Sequence, residues 1–172
     1  MTPKSNEPHW YVAYVKSCME RRVAENLQAQ GYEFYLPIQK EIRQWSDRKK
    51  VVDRLVLPRM IFIRCLEHDR TKIKEAGRFI VNYMCSDGPY TAIIVPDYQM
   101  TAFISMVEKG RNVNVSEQHF AAGDKVRIVS GPLQGMECEL TSINGQRCLA
   151  VRLGALGTAT MDLDTGTLEK IS

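Results

Sequence analysis

Residues Gly123–Leu140 read GDKVRIVSGPLQGMECEL, and this pattern decides the architecture of the C-terminal part of the chain. Val126 and Ile128, then Met136, Cys138 and Leu140, recur at every second position, the period of a strand with one buried face. Between them, Ser130-Gly131-Pro132-Leu133-Gln134-Gly135 supplies a glycine able to take positive φ, a proline that fixes the next φ, and a second glycine before pairing resumes. Two short strands meeting at a glycine turn are expected. Further strands are expected near Cys148–Leu153, Gly157–Leu163 and Leu168–Ile171, with Lys125–Val129 and Met136–Ile143 as the first two and Asn144-Gly145 as a tight hairpin turn. Five short strands in the 53 residues from 120 to 172 predict a small closed barrel. A helical alternative is disfavoured, since each glycine costs ~1 kcal/mol in a helix interior and Pro132 ~3 kcal/mol, so the barrel is expected to be constitutive.

Working back toward the N-terminus, Asn112–His119 (NVNVSEQH) is polar, lacks a sustained period and is expected to connect two domains, residues 1–111 and 120–172. Trp10–Lys16 (WYVAYVK) is rich in aromatic and β-branched residues and predicts a strand. Ser17-Cys18-Met19-Glu20 has the spacing of a capping box, and Met19, Val23 and Leu27 mark one face of the helix that follows, with Gly31 at its left-handed stop. Tyr32–Ile38 predicts a strand interrupted by Pro37, and Leu55–Arg64 a nearly all-apolar central strand. Asp69 is the expected N-cap of a short helix ended by Gly77; strands follow at Arg78–Cys85 and Thr91–Val95. Pro96 then opens a helix with Met100, Phe103, Ile104 and Val107 on its buried stripe and Gly110 at its end. The order predicts one antiparallel sheet flanked by helices, so the whole chain is expected to be α+β.

Lys40–Arg54 (KEIRQWSDRKKVVDR) holds six basic and three acidic residues around Trp45 and a polar turn at Ser46-Asp47. It reads either as a solvated hairpin tip or as a basic loop whose exposed aromatic stacks on a base. Residues 1–118 hold 18 Lys and Arg against 14 Asp and Glu, and the remainder 5 against 6, so nucleic-acid contact is expected in the N-terminal part.

The 44% hydrophobic and 25% charged content is that of a globular protein. No apolar run approaches the ~20 residues of a membrane span, and the N-terminus MTPKSNEPHW lacks the apolar core of a signal peptide, so no membrane partner and a cytoplasmic location are expected. Cys18, Cys65, Cys85, Cys138 and Cys148 form no CxxC pair and predict neither disulfides nor a zinc site. His9, His68 and His119 stand far apart outside any nucleophile or metal motif, and no Gly-Lys-Ser/Thr follows Gly131–Gly135. No enzyme activity, metal or cofactor is expected.

Taken together, these features carry a resemblance. The order Gly-Asp, alternating strand, Gly-Pro-apolar, strand is similar to the KOW motif of ribosomal proteins and of the NusG family of transcription elongation factors. Upstream, Trp10-Tyr11 opening a strand, Pro58-Arg59-Met60-Ile61-Phe62-Ile63, Arg78 to Tyr83, and Ile94-Val95-Pro96 before the last helix look like the NusG N-terminal domain. The resemblance spans Trp10 to the end, and within the family it is nearest the specialised paralogues of the RfaH and UpxY types.

It implies an SH3-like KOW barrel behind a NusG N-terminal domain. The function it implies is a transcription elongation and antitermination factor that docks on the clamp helices of bacterial RNA polymerase and promotes processive transcription of selected operons. The family's docking pocket maps onto Tyr14, Leu57, Met60 and Tyr83, and its contact across the polymerase cleft onto Arg70, Thr71 and Lys72. Residues that read the nontemplate DNA strand map onto Lys16, Asn26, Gln30 and Arg78. The KOW surface that reaches ribosomal protein or termination factor maps onto Leu133 and Leu156; Leu133 stands where Phe is usual, and Cys138 where Gly is usual. The alternative is an RNA-binding or ribosome-associated KOW protein.

Overall fold

The computed structural model describes residues 6–116, 123–163 and 168–171. His119 and residues 117–119 of the expected connection lie outside them. The chain divides into two units, Met1–Leu36 with Leu57–Asp97 and Pro37–Val56 with Tyr98–Ser172.

The first unit is built on an antiparallel sheet. Its strands are β1 (His9–Val15), β2 (Glu33–Tyr35), β5 (Met60–Cys65), β6 (Ile80–Tyr83) and β7 (Ile94–Val95), in the order β2-β5-β1-β6 with β7 also on β1. β7 pairs with Trp10 and Tyr11 and β6 with Ala13 to Val15, so the two share one edge of β1 end to end. Helices α1 (Glu20–Ala29) and α2 (Arg70–Gly77) are placed by alternation in the strands. Tyr11, Ala13 and Val15 of β1 join Ile61, Ile63 and Cys65 of β5, and this face closes against Val23 and Leu27 of α1 and Ile73 of α2 in one buried cluster.

Local chemistry departs from expectation at both helix starts. Ser17 makes no capping bond to α1, whose N-cap is Met19. Glu20 is buried and its carboxylate accepts the Arg59 amide at 2.9 Å, because Arg59 turns with φ 64° and leaves that N–H without a strand partner. Asp69 likewise caps nothing with its side chain; it ends a single turn of 3-10 helix at Glu67–Asp69 that runs straight into α2, and its carboxylate lies 3.9 Å from Lys72. The stop of α1 is as expected: Gly31 takes φ 78°, its amide bonds Gln28 O and that of Tyr32 bonds Leu27 O, the Schellman arrangement. At the end of α2 the left-handed residue is Arg78 (φ 62°), not Gly77. Gly77 is required for space, since a β-carbon there would run into the Ile80 side chain.

The second unit contains a two-stranded hairpin, β3 (Ile38–Gln44) with β4 (Lys49–Leu55), all but the first residue of the helix α3 (Asp97–Lys109), and a six-stranded antiparallel sheet. Pro37 divides the single strand expected over Tyr32–Ile38 into β2 and the start of β3. On α3 the buried positions are Met100, Phe103, Met106 and Val107, with Ile104 only half-buried. The sheet runs β13 (Leu168–Lys170), β9 (Asp124–Ile128), β10 (Glu137–Ile143), β11 (Gln146–Arg152), β12 (Thr158–Asp162), β8 (Asn114–Ser116). Five of these are the expected strands, and Asn144 and Gly145 both take positive φ in the tight turn between β10 and β11. The sixth, β8, lies inside the stretch read as a connection; alternation there was too short to register, but it pairs Asn114 to Ser116 with β12 and is preceded by the fully buried Val113. Cys138 turns inward with Val126, Ile128 and Met136.

One side chain organises the root of the hairpin. Gln39 is buried; its Nε2 donates to Val107 O (3.2 Å) and Gly110 O (2.9 Å), and its Oε1 accepts from Val113 N (2.9 Å) and Arg54 Nη2 (3.2 Å). Arg54 also donates to Val113 O at 2.7 Å and pairs with Glu41 at 3.0 Å. The Gln39 carboxamide thereby uses all its donors and acceptors.

Candidate nucleic-acid interface

The residues mapped to DNA reading meet at the turn that ends α2. The Lys16 amide donates to Phe79 O (3.0 Å), which sets the end of β1 beside the start of β6. Asn26 Nδ2 donates to Gly77 O and Gln30 Nε2 to Ala76 O, each at 3.4 Å. Arg78 follows directly and is exposed, as is Lys16. Four residues scattered over 63 positions are thus gathered around Ala76–Phe79. Asn26 and Gln30 lie one helical turn apart on α1, and both long bonds run to carbonyls that α2 leaves open at its C-terminus. Each carboxamide keeps its oxygen and a second N–H, the pair that suits an adenine edge, while Lys16 and Arg78 offer cations to phosphate. Among the described residues no ion pair engages either cation.

The residues mapped to docking are divided. Tyr14 lies directly opposite Met60 on β5 and opposite Asn82 on β6. Met60, Tyr14 and Asn82 therefore form a row across three strands on the face away from α1 and α2; the first two are half-buried and Asn82 is exposed. Leu57 is buried in the turn that leads to β5. Tyr83 pairs with Ala13 and so faces the helices, not this row. Its hydroxyl donates to Arg70 O (2.9 Å), its ring meets Tyr11 edge-on at 6.1 Å, and the Arg70 guanidinium lies 5.4 Å from it and 5.2 Å from Tyr11. Burial, reinforced by the neighbouring Cys65 and only partly offset by the Arg70 charge, pushes the Tyr83 phenol well above its ordinary range. Arg70 is accordingly engaged inside the unit, whereas Thr71 and Lys72 are exposed. Asn82 was not singled out in the sequence, although counting alternation from Tyr83 places it on the opposite face.

In the second unit Leu133 is half-exposed in the turn closed by Gly135 N to Ile128 O at 2.7 Å. Leu156 is 2% exposed within a 3-10 turn at Gly154–Leu156 and packs in the core. Among the described residues no group of His, Cys, Asp or Glu has a metal-binding arrangement, and no helix is long and apolar enough to cross a membrane. Burial raises the Cys65 and Cys138 thiols to about 12.

No curated protein matches the chain significantly by sequence. Among solved structures, one described as "Domain interaction in Thermotoga maritima NusG" is similar over 96% of this chain and 98% of its own, at 20% identity and a TM-score of 0.52. A second, "MjSpt4:Spt5 complex conformation B", aligns over 94% of this chain and 97% of its own at 10% identity and a TM-score of 0.30. The first supports the α+β arrangement with its all-β C-terminal region. The family model described as "Transcription termination factor nusG" matches residues 8–104, more than half of the chain and all of the strands and helices that carry the gathered polar residues. The chain therefore belongs to the NusG family of transcription factors, proteins that are not enzymes.

Proposed function

We propose that this NusG-family protein is a specialised elongation and antitermination factor of the RfaH or UpxY type. It acts in the cytoplasm, docks on the clamp helices of bacterial RNA polymerase and favours processive transcription of selected operons. Residues 1–111 form the polymerase-binding domain and 120–172 the KOW domain. The observation that carries this reading is the gathering of Lys16, Asn26, Gln30 and Arg78 around Ala76–Phe79. Two free cations beside two carboxamides suit a strand offering both phosphates and base edges, which is how a factor would choose among operons.

Docking is assigned to the face bearing Tyr14 and Met60, with Leu57 at its border and Thr71 and Lys72 meeting the other side of the cleft. Tyr83 and Arg70 support this surface from behind by locking β6 to α2. A half-buried methionine suits a helix-accepting surface because its unbranched chain adapts to the partner. Leu133 is the half-exposed contact through which the KOW domain reaches ribosomal protein or termination factor, whereas Leu156, mapped to the same surface by resemblance, is buried and is left out of it.

Purified bacterial RNA polymerase should retain the wild-type protein, and transcription through a terminator should increase in its presence. Met60→Lys should lose retention by at least tenfold with an unchanged melting curve, because docking would strand a charge against an apolar surface. Unaltered retention by that variant would remove Met60 from the interface. Retention of the wild type by bare RNA but not by polymerase would favour the ribosome-associated alternative.

A further inference from the structure

The distal half of the β3–β4 hairpin is built against its own stability. Register places Arg43 directly opposite Lys50, a like-charge pair that costs a hairpin stability, and Gln44 opposite Lys49. From 43 to 51 there are four cations, Arg43, Arg48, Lys49 and Lys50, against the single acid Asp47. Arg43 pairs with Glu41 at 3.1 Å, but no ion pair among the described residues engages Arg48, Lys49 or Lys50. Large apolar side chains are exposed there as well: Ile42 at 70%, Val51 at 58% and Trp45 at 56%.

Alternation sorts these residues. Ile42 and Val51 face each other on one side, where they support the ribbon as a cross-strand pair. The other side carries Gln39 at the root, then Glu41, Arg43 and, continuing the alternation, Trp45, with Lys50 opposite Arg43. Trp45 N donates to Arg48 O at 2.8 Å, which fixes the indole's backbone beside Arg48 at the tip. An exposed indole flanked by Arg43, Arg48 and Lys50 thus stands at the end of a ribbon whose root is held by Gln39 and Arg54.

We propose that this face is a second nucleic-acid site, taking a single strand whose base stacks on Trp45 while its phosphates lie along Arg43, Arg48 and Lys50. An aromatic platform with adjacent cations fits an unpaired base and its flanking phosphates; a duplex keeps its base faces stacked and offers Trp45 none. The site is independent of the polymerase-docking reading, since it needs no polymerase to be occupied.

The test uses the full chain and fluorescein-labelled 12-nucleotide strands, one DNA and one RNA of the same sequence, with the DNA duplex as comparison, read by anisotropy at 50 mM salt. A Trp10→Phe variant leaves Trp45 as the single tryptophan, and its emission should be quenched as either strand binds. Trp45→Ala should weaken binding about tenfold, the usual effect of losing one stacked base. Lys50→Glu should also weaken it and flatten its salt dependence. Both positions are exposed; an unchanged melting curve for Trp45→Ala, and one at or slightly above wild type for Lys50→Glu, which replaces the like-charge pair with Arg43 by an opposite-charge one, would show that folding is intact. Tighter binding of RNA than of DNA, or the reverse, supports the site and identifies the sugar it prefers. Binding that neither variant changes, unquenched Trp45 emission, or equal affinity for the duplex would each overturn the proposal. None of these results depends on whether Met60→Lys affects polymerase retention.

Discussion

Replacing Gln39 by Ala removes four hydrogen bonds at once, all at 2.9–3.2 Å and all at the root of the hairpin. The costliest consequence is the Val113 amide, which belongs to a fully buried residue and, among the described residues, donates to Gln39 Oε1 alone. A buried N–H left unsatisfied costs about 1–3 kcal/mol, and the two carbonyls at the end of α3 lose a donor worth about 0.5–1.5 kcal/mol each. Arg54 keeps its bonds to Val113 O and Glu41, so its loss adds little. The sum is about 2–6 kcal/mol, a large share of a typical domain stability. Urea unfolding followed by circular dichroism should show a lower midpoint with an unchanged slope. Gln39→Glu separates the two halves of the argument: it keeps the acceptor for Val113 but sets a carboxylate against two carbonyl oxygens. It should cost at least as much at pH 7. A loss below 1 kcal/mol for Gln39→Ala, or a neutral Gln39→Glu, would refute the claim that this carboxamide holds the hairpin root.

Three further outcomes follow from the geometry. Asn26→Ala with Gln30→Ala should abolish preference for one nontemplate sequence in a reporter assay and, because both side chains tie α1 to the end of α2, lower stability by about 1 kcal/mol; Lys16→Ala should weaken DNA binding with little sequence dependence and no loss of stability. For Glu139, burial works to raise its pKa, but hydrogen bonds from Arg152 and the Gly123 amide, with the charges of Arg152 and Lys125, outweigh it and hold the carboxyl below its ordinary value. Its pairing therefore stabilises the fold above the unfolded-state pKa and fades as pH falls through the lowered one, so Glu139→Gln should destabilise by about 1 kcal/mol at pH 7 and converge with wild type in acid, as read by melting curves. In a thiol-reagent titration at pH 8, exposed Cys18 should react first, while Cys65 and Cys138, buried with pKa values pushed up to about 12, should react only on unfolding.

The sequence revealed those parts of the fold whose cause is local. Alternation at Val126, Ile128, Met136 and Cys138, the Asn144-Gly145 turn and the Gly31 stop each rest on backbone preferences of adjacent residues, and each is where it was expected. The capping box failed because Glu20 has a stronger claim on it from Arg59, 39 positions away, and no local pattern shows that. Gln39 was equally illegible: a glutamine in a basic hairpin looks solvated until α3 and β8 bring three backbone groups to it. Of the candidate site, the positions of Lys16, Asn26, Gln30 and Arg78 came from resemblance, and their meeting place came only from tertiary contacts. The separation of Tyr83 from Tyr14 was legible in principle. It needs only the registers of β1 with β5 and β6, which put Tyr14 beside Met60 and Tyr83 beside Ala13.

The β3–β4 ribbon has a consequence for how this fold can vary. Its fixed points, Gln39 and Arg54, lie at the root and are paired with each other in register, while the strand beyond them repeats every two residues. Inserting two residues in each strand would carry the tip outward by about 6.6 Å and return every side chain to its original face. Inserting one would turn Trp45 and its cations to the reverse side. The ribbon is thus an arm whose reach is adjustable in even steps, so a lineage could change what the tip touches without altering the body that holds it.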